Sequence, residues 1–184
     1  KHDLKLIFYL NNHHLSYSIF NIVNNCFEKI KKHKITNGKH EFHNQISNII
    51  ELDNDLKLKY KTTLGAIDDS ASTFIPQALF DEKNIEQYVD YTYGKTTDMH
   101  QHIQQQFSNC YAIFPINKSL FSSINQHFNN PIIKSSGSLL VDYAINLSKK
   151  TTLQLFAQIN RSNFHVTLIK NGEFEFYNQF HFED

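Results

Sequence analysis

The stretch "LIFYLNNHHLSYSIF" at residues 6–20 has the pattern of two β-strands joined by a tight polar turn. Apolar side chains alternate along both flanks, which is the period of a strand with one buried face. A second stretch near the other end of the chain, "LFAQINRSNFHVTLI" at residues 155–169, has the same form. This repeat predicts a fold made of two related halves.

Each hairpin belongs to a longer antiparallel meander. Phe27 and Ile30 begin a third strand after the first hairpin. The later meander consists of "LQLFAQI", "FHVTLI" and "EFEFYNQFHF", with "KNGE" at residues 170–173 as its second turn.

Between the meanders, apolar residues follow the helical period in four segments. The predicted helices are residues 39–52, 81–93, 115–128 and 137–150. We expect Asp81 to cap the second helix and Gly94 to end it. Leu140, Ala144 and Leu147 are expected to face the core from the fourth.

Further strands are predicted by shorter patterns. The alternation of Leu56, Leu58 and Tyr60 favours a short strand, as do "TTLGAIDD" and "STFIP" after it. "CYAIF" at 110–114 and "PIIKSS" at 131–136 each precede a helix, and this order predicts a parallel sheet with right-handed crossovers. Residues 94–108 are polar, and their pattern leaves the type of element unassigned.

The combined order predicts an α/β protein of ribonuclease-H-like, actin-like ATPase topology. Its mixed sheet would contain a three-strand antiparallel meander plus a parallel βαβα, duplicated with the second half incomplete. The predicted domains are residues 1–150, with an insertion at about 53–108, and the opening meander of the second half at 151–184. The chain begins at Lys1 and ends in mid-pattern at "HFED", which predicts a fragment.

Composition narrows the class of protein. The hydrophobic content of 40% over 184 residues predicts a packed protein rather than a disordered one. Eighteen basic side chains balance 18 acidic ones, which argues against a nucleic-acid or anionic-membrane surface. No apolar run predicts a membrane span or signal peptide. The two cysteines lack CxxC spacing, and two reduced thiols in a cytoplasmic protein are favoured over a single disulfide.

Three phrases resemble an uncharacterised Bacteroidetes family known as a domain of unknown function. They are "STFIPQALFDEKNIEQYVDYTYG" (72–94), "YAIFPINKSL" (111–120) and "FHVTLIKNGEFEFYNQFHF" (164–182). The resemblance implies an actin-like ATPase fold, distantly similar to pilus-assembly and cell-division adaptor ATPases. It also implies a longer second half than this chain carries, and it brings no activity with it.

The two hairpin turns are the candidate binding site. In active actin-like ATPases these turns hold phosphates with an Asp after the first strand and with glycines and hydroxyls, because backbone N–H groups approach phosphate only past small side chains. Here the turns carry neither Asp nor Gly. Asn can serve a tight turn through its tolerance of left-handed backbone, and phosphate contact is the alternative. The candidate cofactor-contacting residues are Asn11, Asn12 and His13 in the first turn and Asn160, Arg161, Ser162 and Asn163 in the second.

Other candidate sites carry weaker signals. His100 with His102, and His40 with His43 and Glu41, have spacings that could bring metal ligands together, but a structural role is favoured for each pair. For Asp68 and Asp69, capping or turn chemistry is favoured over acid–base chemistry. A nuclease would need several carboxylates, one of them on the first strand, where only Asp3 occurs at its outer start.

The sequence therefore predicts no catalytic residue, no metal site and no required cofactor. The favoured function is a non-catalytic adaptor or scaffold with an unidentified protein partner, and Tyr91 is the tyrosine expected to be exposed for such contact. The alternative is a nucleotide-binding ATPase with atypical phosphate turns that takes ATP and Mg²⁺. The edge of the second meander also predicts pairing with another copy of the chain as a homodimer.

Overall fold

The computed structural model describes residues 3–36, 42–68, 72–95 and 98–182. Its strands are β1 (Leu4–Asn11), β2 (His14–Asn21), β3 (Cys26–Lys34), β4 (Thr62–Asp68), β5 (Thr73–Pro76), β6 (Met99–Gln104), β7 (Cys110–Ile116), β8 (Ile132–Ser135), β9 (Leu153–Ile159), β10 (Asn163–Lys170) and β11 (Glu173–His181). Its α-helices are α1 (Phe42–Leu52), α2 (Ile85–Tyr93), α3 (Lys118–His127) and α4 (Ser136–Leu147).

The chain divides into two units. The first unit contains Lys1–Asp69 and Ile116–Lys134, and the second contains Ser70–Pro115 and Ser135–Asp184.

The first unit is built on a five-stranded mixed sheet in the order β3-β2-β1-β4-β8. β1 pairs antiparallel with β2 and parallel with β4. Leu6, Phe8 and Leu10 project from alternate positions of β1 into the core and are almost fully buried. The opening meander and its alternating buried face are therefore confirmed.

Gly65 in β4 is required by close packing. A Cβ at this position would overlap the ring of Phe8 on β1 and would lie 2.7 Å from Cδ1 of Ile133. The absence of a side chain at this residue lets the Phe8 ring lie over the β4 backbone.

The second unit contains two three-stranded sheets, β5-β7-β6 and β11-β10-β9. The latter is the predicted second meander, with β10 antiparallel to both of its neighbours. Asn171 and Gly172 form its second turn with φ values of 54° and 85°, which is the left-handed backbone that two-residue hairpin turns use. α4 packs on this sheet.

The helix signals are largely confirmed. The Asp81 side chain accepts a hydrogen bond from the Lys83 N–H and begins a short 3₁₀ turn that leads into α2. Gly94 ends α2 with φ 76°. The Asn117 side chain caps α3 by accepting from the N–H groups of Ser119 and Leu120.

Two details differ from the sequence expectations, and a third cannot be compared. Residues 56–60 form no strand, because the chain turns there and the Tyr60 hydroxyl bonds to the Asp55 carbonyl at 2.6 Å. Leu147 is 51% exposed, because the buried stripe of α4 stops at Ala144. The predicted helix start at 39–41 lies outside the described residues.

The sheet partners also differ. The strand at 110–116 pairs antiparallel with β5 and belongs to a small sheet of the second unit, not to the sheet that contains β8. The parallel partner of β1 is β4, which lies within the expected insertion at 53–108. A continuous apolar run indicates that a strand is buried, but it does not show which strand it pairs with. The division into a half at 1–150 and a second half at 151–184 stays a prediction.

Candidate functional site

The first hairpin turn is closed by its own side chain. Asn11 Oδ1 accepts hydrogen bonds from the backbone N–H groups of His13 and His14, both at 2.9 Å. The Asn12 and His13 side chains are exposed. Asn11 therefore forms an Asx turn, in which its side-chain oxygen takes the place of a backbone carbonyl as the hydrogen-bond acceptor.

The second turn is closed in a similar way within the second unit. The Asn160 N–H donates to the Asn163 carbonyl at 2.9 Å, and Asn160 Nδ2 donates to Asn163 Oδ1 at 2.8 Å. The Arg161 and Ser162 side chains are exposed. Each predicted set of turn residues is thus brought together within its own unit.

Left-handed backbone is not the reason for asparagine in these turns. In the described part of the chain, the non-glycine residues with positive φ are Asn25, Asn130 and Asn171. Asn11 and Asn160 stabilise the turns through side-chain hydrogen bonds instead.

Asp68 is the residue at the first turn that sequence reasoning undervalued. It ends β4, where it lies opposite Asn11 in the parallel register, and it is only 4% exposed. Its Oδ2 accepts a 2.6 Å hydrogen bond from the Tyr9 hydroxyl. The carboxyl ends of parallel strands are a common ligand-binding edge. The signal available in the sequence was an acid directly after the buried strand "TTLGAI"; its neighbour Asp69 lies outside the described residues.

His14 completes this group, which also contains Asn11, Tyr9 and Asp68. The imidazole ring of His14 lies 5.7 Å from the ring of Tyr9 between centroids. Burial lowers the pKa of His14, Lys32 and His13 lower it further, and Asp68 opposes them. The imidazole is therefore neutral near pH 7 and offers one lone pair.

The chemical capacity of this group is limited. One carboxylate, one phenol, one amide and one neutral imidazole can orient a hydrated cation or a small polar ligand. Within residues 3–36, 42–68, 72–95 and 98–182, no group of three or more His, Cys, Asp or Glu side chains is placed to hold a metal ion.

A second polar cluster lies elsewhere in the first unit around Asp53. Its Oδ2 accepts from the Tyr17 hydroxyl at 2.9 Å and lies 2.7 Å from both Lys31 Nζ and His33 Nε2. The carboxylate is only 3% exposed. These bonds connect β2 and β3 to the end of α1. Lys31 lies on the mostly exposed strand β3, and this cluster gives it a structural partner.

The other sequence candidates have surroundings of their own. His102 Nε2 lies 4.0 Å from Glu82 Oε1, and its ring contacts Phe80 with centroids 5.3 Å apart. His40 and Glu41 lie outside the described residues. Cys26 is exposed and Cys110 is half-buried, and both are free thiols.

Tyr91 on α2 is 95% exposed, which confirms the expectation from its position off the apolar stripe. Tyr88 is half-buried instead, and its hydroxyl donates to the Leu79 carbonyl at 2.7 Å. Leu79 itself is 68% exposed. This part of the second unit therefore presents apolar and aromatic surface.

No helix in the described part of the chain is long and apolar enough to cross a membrane.

The comparisons with known proteins confirm the fold. The family model described as "Protein of unknown function (DUF3822)" matches residues 1–184. A Bacteroides thetaiotaomicron protein with an actin-like ATPase fold and unknown function superposes with a TM-score of 0.91 at 19% identity, over 99% of this chain and 71% of that chain. This similarity establishes the actin-like ATPase fold and fits the predicted Bacteroidetes origin of the family.

Two further solved structures are more distant. The cytoplasmic domain of EpsL, an inner membrane component of the Vibrio cholerae type II secretion system, matches with TM-score 0.46 and 8% identity over 97% of this chain and 70% of that one. The Aquifex aeolicus Ppx/GppA phosphatase matches with TM-score 0.45 and 6% identity over 97% of this chain and 52% of that one. No curated protein matches the sequence.

Proposed function

Since the chain belongs to the DUF3822 family and has the actin-like ATPase fold, we propose that it is a non-catalytic adaptor or scaffold built on that fold. Its partner is another protein, and it requires no cofactor. Its compartment is the cytoplasm, which two free thiols favour.

The observation that carries the proposal is the closed first turn. A phosphate-binding turn needs backbone N–H groups that are free to point at phosphate oxygens. Here Asn11 occupies the N–H groups of His13 and His14. The amide of Asn11 also brings no negative charge to organise a magnesium ion at the end of β1.

The exposed part of the second unit supports partner binding. Tyr91 and Leu79 offer an aromatic ring and an aliphatic side chain to solvent. Tyrosine is enriched at protein interfaces because it combines a large contact area with a hydrogen-bonding hydroxyl. A second copy of the chain is a further candidate partner, because Leu153, Leu155 and Ile159 on β9, at the edge of its sheet, are exposed.

Asp68 favours a second candidate function, nucleotide binding. Asp68 places a carboxylate on β4 beside Asn11. In active ATPases of this fold, the corresponding carboxylate is on the first strand, which is β1 here. Together with Asn12 and His13, Asp68 would form an atypical site for ATP and Mg²⁺ in the first unit, while Asn160, Arg161, Ser162 and Asn163 are candidate phosphate contacts within the second unit.

Calorimetric titration with ATP and with ADP, each with and without Mg²⁺, separates the two functions. The adaptor proposal expects no Mg²⁺-dependent binding at millimolar nucleotide. Tight, Mg²⁺-dependent binding that Asp68→Asn abolishes would replace the adaptor with the nucleotide-binding function. Asp90→Asn, at an exposed carboxylate of α2, is the matched control.

For the homodimer, light scattering after size exclusion over a concentration series is the test. A monomer at every concentration would contradict it.

A further inference from the structure

A groove of about 1090 Å³ lies in the first unit, at the amino ends of β1 and β4 and the carboxyl end of α3. Lys57, Lys59 and Lys61 line it, together with Tyr60, Phe128 and Asn125. β1 separates it from the turn at Asn11, because eight residues of strand span about 23 Å. The groove is therefore distinct from the site described above.

The three lysines lie on a segment that is fixed at several points. Leu56 is buried, and the Tyr60 hydroxyl bonds to the Asp55 carbonyl at 2.6 Å. The Lys61 N–H donates to the Leu4 carbonyl at 2.9 Å. Lys57, Lys59 and Lys61 are exposed, and Leu58 and Tyr60 between them are half-buried and also line the groove.

The positive charge of these lysines is largely uncompensated. Lys29 and Lys31 on β3 lie within ion-pair distance of Asp55 and Asp53. In contrast, no carboxylate of the described residues lies within that distance of Lys57, Lys59 or Lys61. Asp3 also lines the groove, and the carboxyl end of α3 adds roughly half a negative charge. More than one positive charge remains, in a protein whose formal net charge is zero.

We propose that this groove binds a small molecule that carries several phosphate groups. Lysine ammonium groups bind phosphate as point charges. The volume corresponds to the upper end of small-molecule sites. Tyr60 and Phe128 add aromatic side chains, so the groove can also contact a less polar part of the ligand. Asn125 adds an amide to the lining.

Calorimetric titration with sodium tripolyphosphate and with ATP, both in EDTA, tests the proposal on the 184-residue chain. We expect binding that weakens as salt is raised, because salt screens exposed charges over about 10 Å at 0.1 M. A triple variant, Lys57→Gln with Lys59→Gln and Lys61→Gln, should weaken binding at least about tenfold.

The matched control carries the same change of charge elsewhere. Lys32, Lys83 and Lys118 are exposed and do not line the groove, and their replacement by Gln should leave the dissociation constant within about twofold. An equal loss in both triple variants would mean diffuse attraction and would overturn the proposal. So would the absence of tripolyphosphate binding, or tighter binding of a hexaglutamate peptide.

The experiment also separates this groove from the turn at Asn11. Binding in the groove needs no Mg²⁺ and should survive Asp68→Asn. Nucleotide binding at the turn would need Mg²⁺ and Asp68. Either proposal, binding in the groove or nucleotide binding at the turn, can therefore be contradicted without the other.

Discussion

Asp68 ends β4 directly opposite Asn11, which ends β1, in the parallel register of the two strands. The Tyr9 hydroxyl donates a 2.6 Å hydrogen bond to this buried carboxylate. The end of the first strand thus has a carboxylate beside it, although the strand itself carries only an amide there. This relationship makes Asp68 the residue whose replacement best tests any ligand chemistry at the turn.

Tyr9→Phe should lower the free energy of unfolding by about 1–2 kcal/mol, because it removes a hydrogen bond to a buried carboxylate. Urea denaturation followed by circular dichroism measures the change. Tyr91→Phe is the matched control, because that side chain is almost fully exposed, and it should stay within about 0.5 kcal/mol of the parent. Equal effects of the two changes would mean that the Tyr9–Asp68 bond does not stabilise the fold.

Acid should remove stability through Asp53. Burial raises the pKa of Asp53, but hydrogen bonds from Lys31, His33, the Asp55 N–H and Tyr17 lower it more, so the net pKa lies well below its usual 3.8. A depressed pKa stabilises the fold above the unfolded-state value, and this contribution is lost as pH falls through the folded-state value. We therefore expect the free energy of unfolding to decline below about pH 5.

The variant Asp53→Asn identifies the source of this decline. At pH 7 it should cost about 2–4 kcal/mol, because the buried Tyr17 hydroxyl and the half-buried His33 ring lose a charged acceptor. The difference from the parent should narrow as pH falls, whereas Asp90→Asn should follow the parent curve. Parallel curves for the parent and Asp53→Asn would disprove the assignment.

Gly65→Ala should cost about 1–3 kcal/mol through overpacking. Its new methyl group would meet the Phe8 ring and the side chain of Ile133. Adding Phe8→Leu should recover part of the loss, so the two changes should be non-additive in a double-mutant cycle measured by thermal or urea unfolding. Simple additivity would show that the two sites do not compete for space.

The two thiols should react at different rates. Burial raises the pKa of the Cys110 thiol, the neighbouring Ser108 side chain offsets this only in part, and the net shift is upward. Cys26 is exposed. Iodoacetamide at pH 8 should therefore modify Cys26 at least about tenfold faster than Cys110, because thiolate is the reactive form. Peptide mass spectrometry over time measures both rates, and Cys26→Ser isolates the slower one; equal rates would contradict the prediction.

Much of the fold was predictable because its signals are local. Strict alternation along β1, β2 and β10 reports one buried face, and the turn residues Asn171 and Gly172 suit a left-handed turn. Strand partners were less predictable. The strand at 110–116 has the apolar run of a buried parallel strand, yet it pairs antiparallel with β5.

The candidate site was also predictable only in part. The sequence identified both turns and showed that they lack Asp and Gly. It could not show that Asn11 occupies the turn N–H groups, or that Asp68 lies beside it from a strand far along the chain.

By itself, the sequence determined the order of most elements, the repeated meander and the two turns that lack Asp and Gly, because periodicity and turn chemistry act over a few residues. Only the tertiary structure decided that β4 lies beside β1, that Asp53 bonds to Tyr17, Lys31 and His33, and that the segment with Lys57, Lys59 and Lys61 shares a groove with the end of α3. These contacts join residues distant in sequence. They depend on which surfaces pack together, and local pattern does not record that choice.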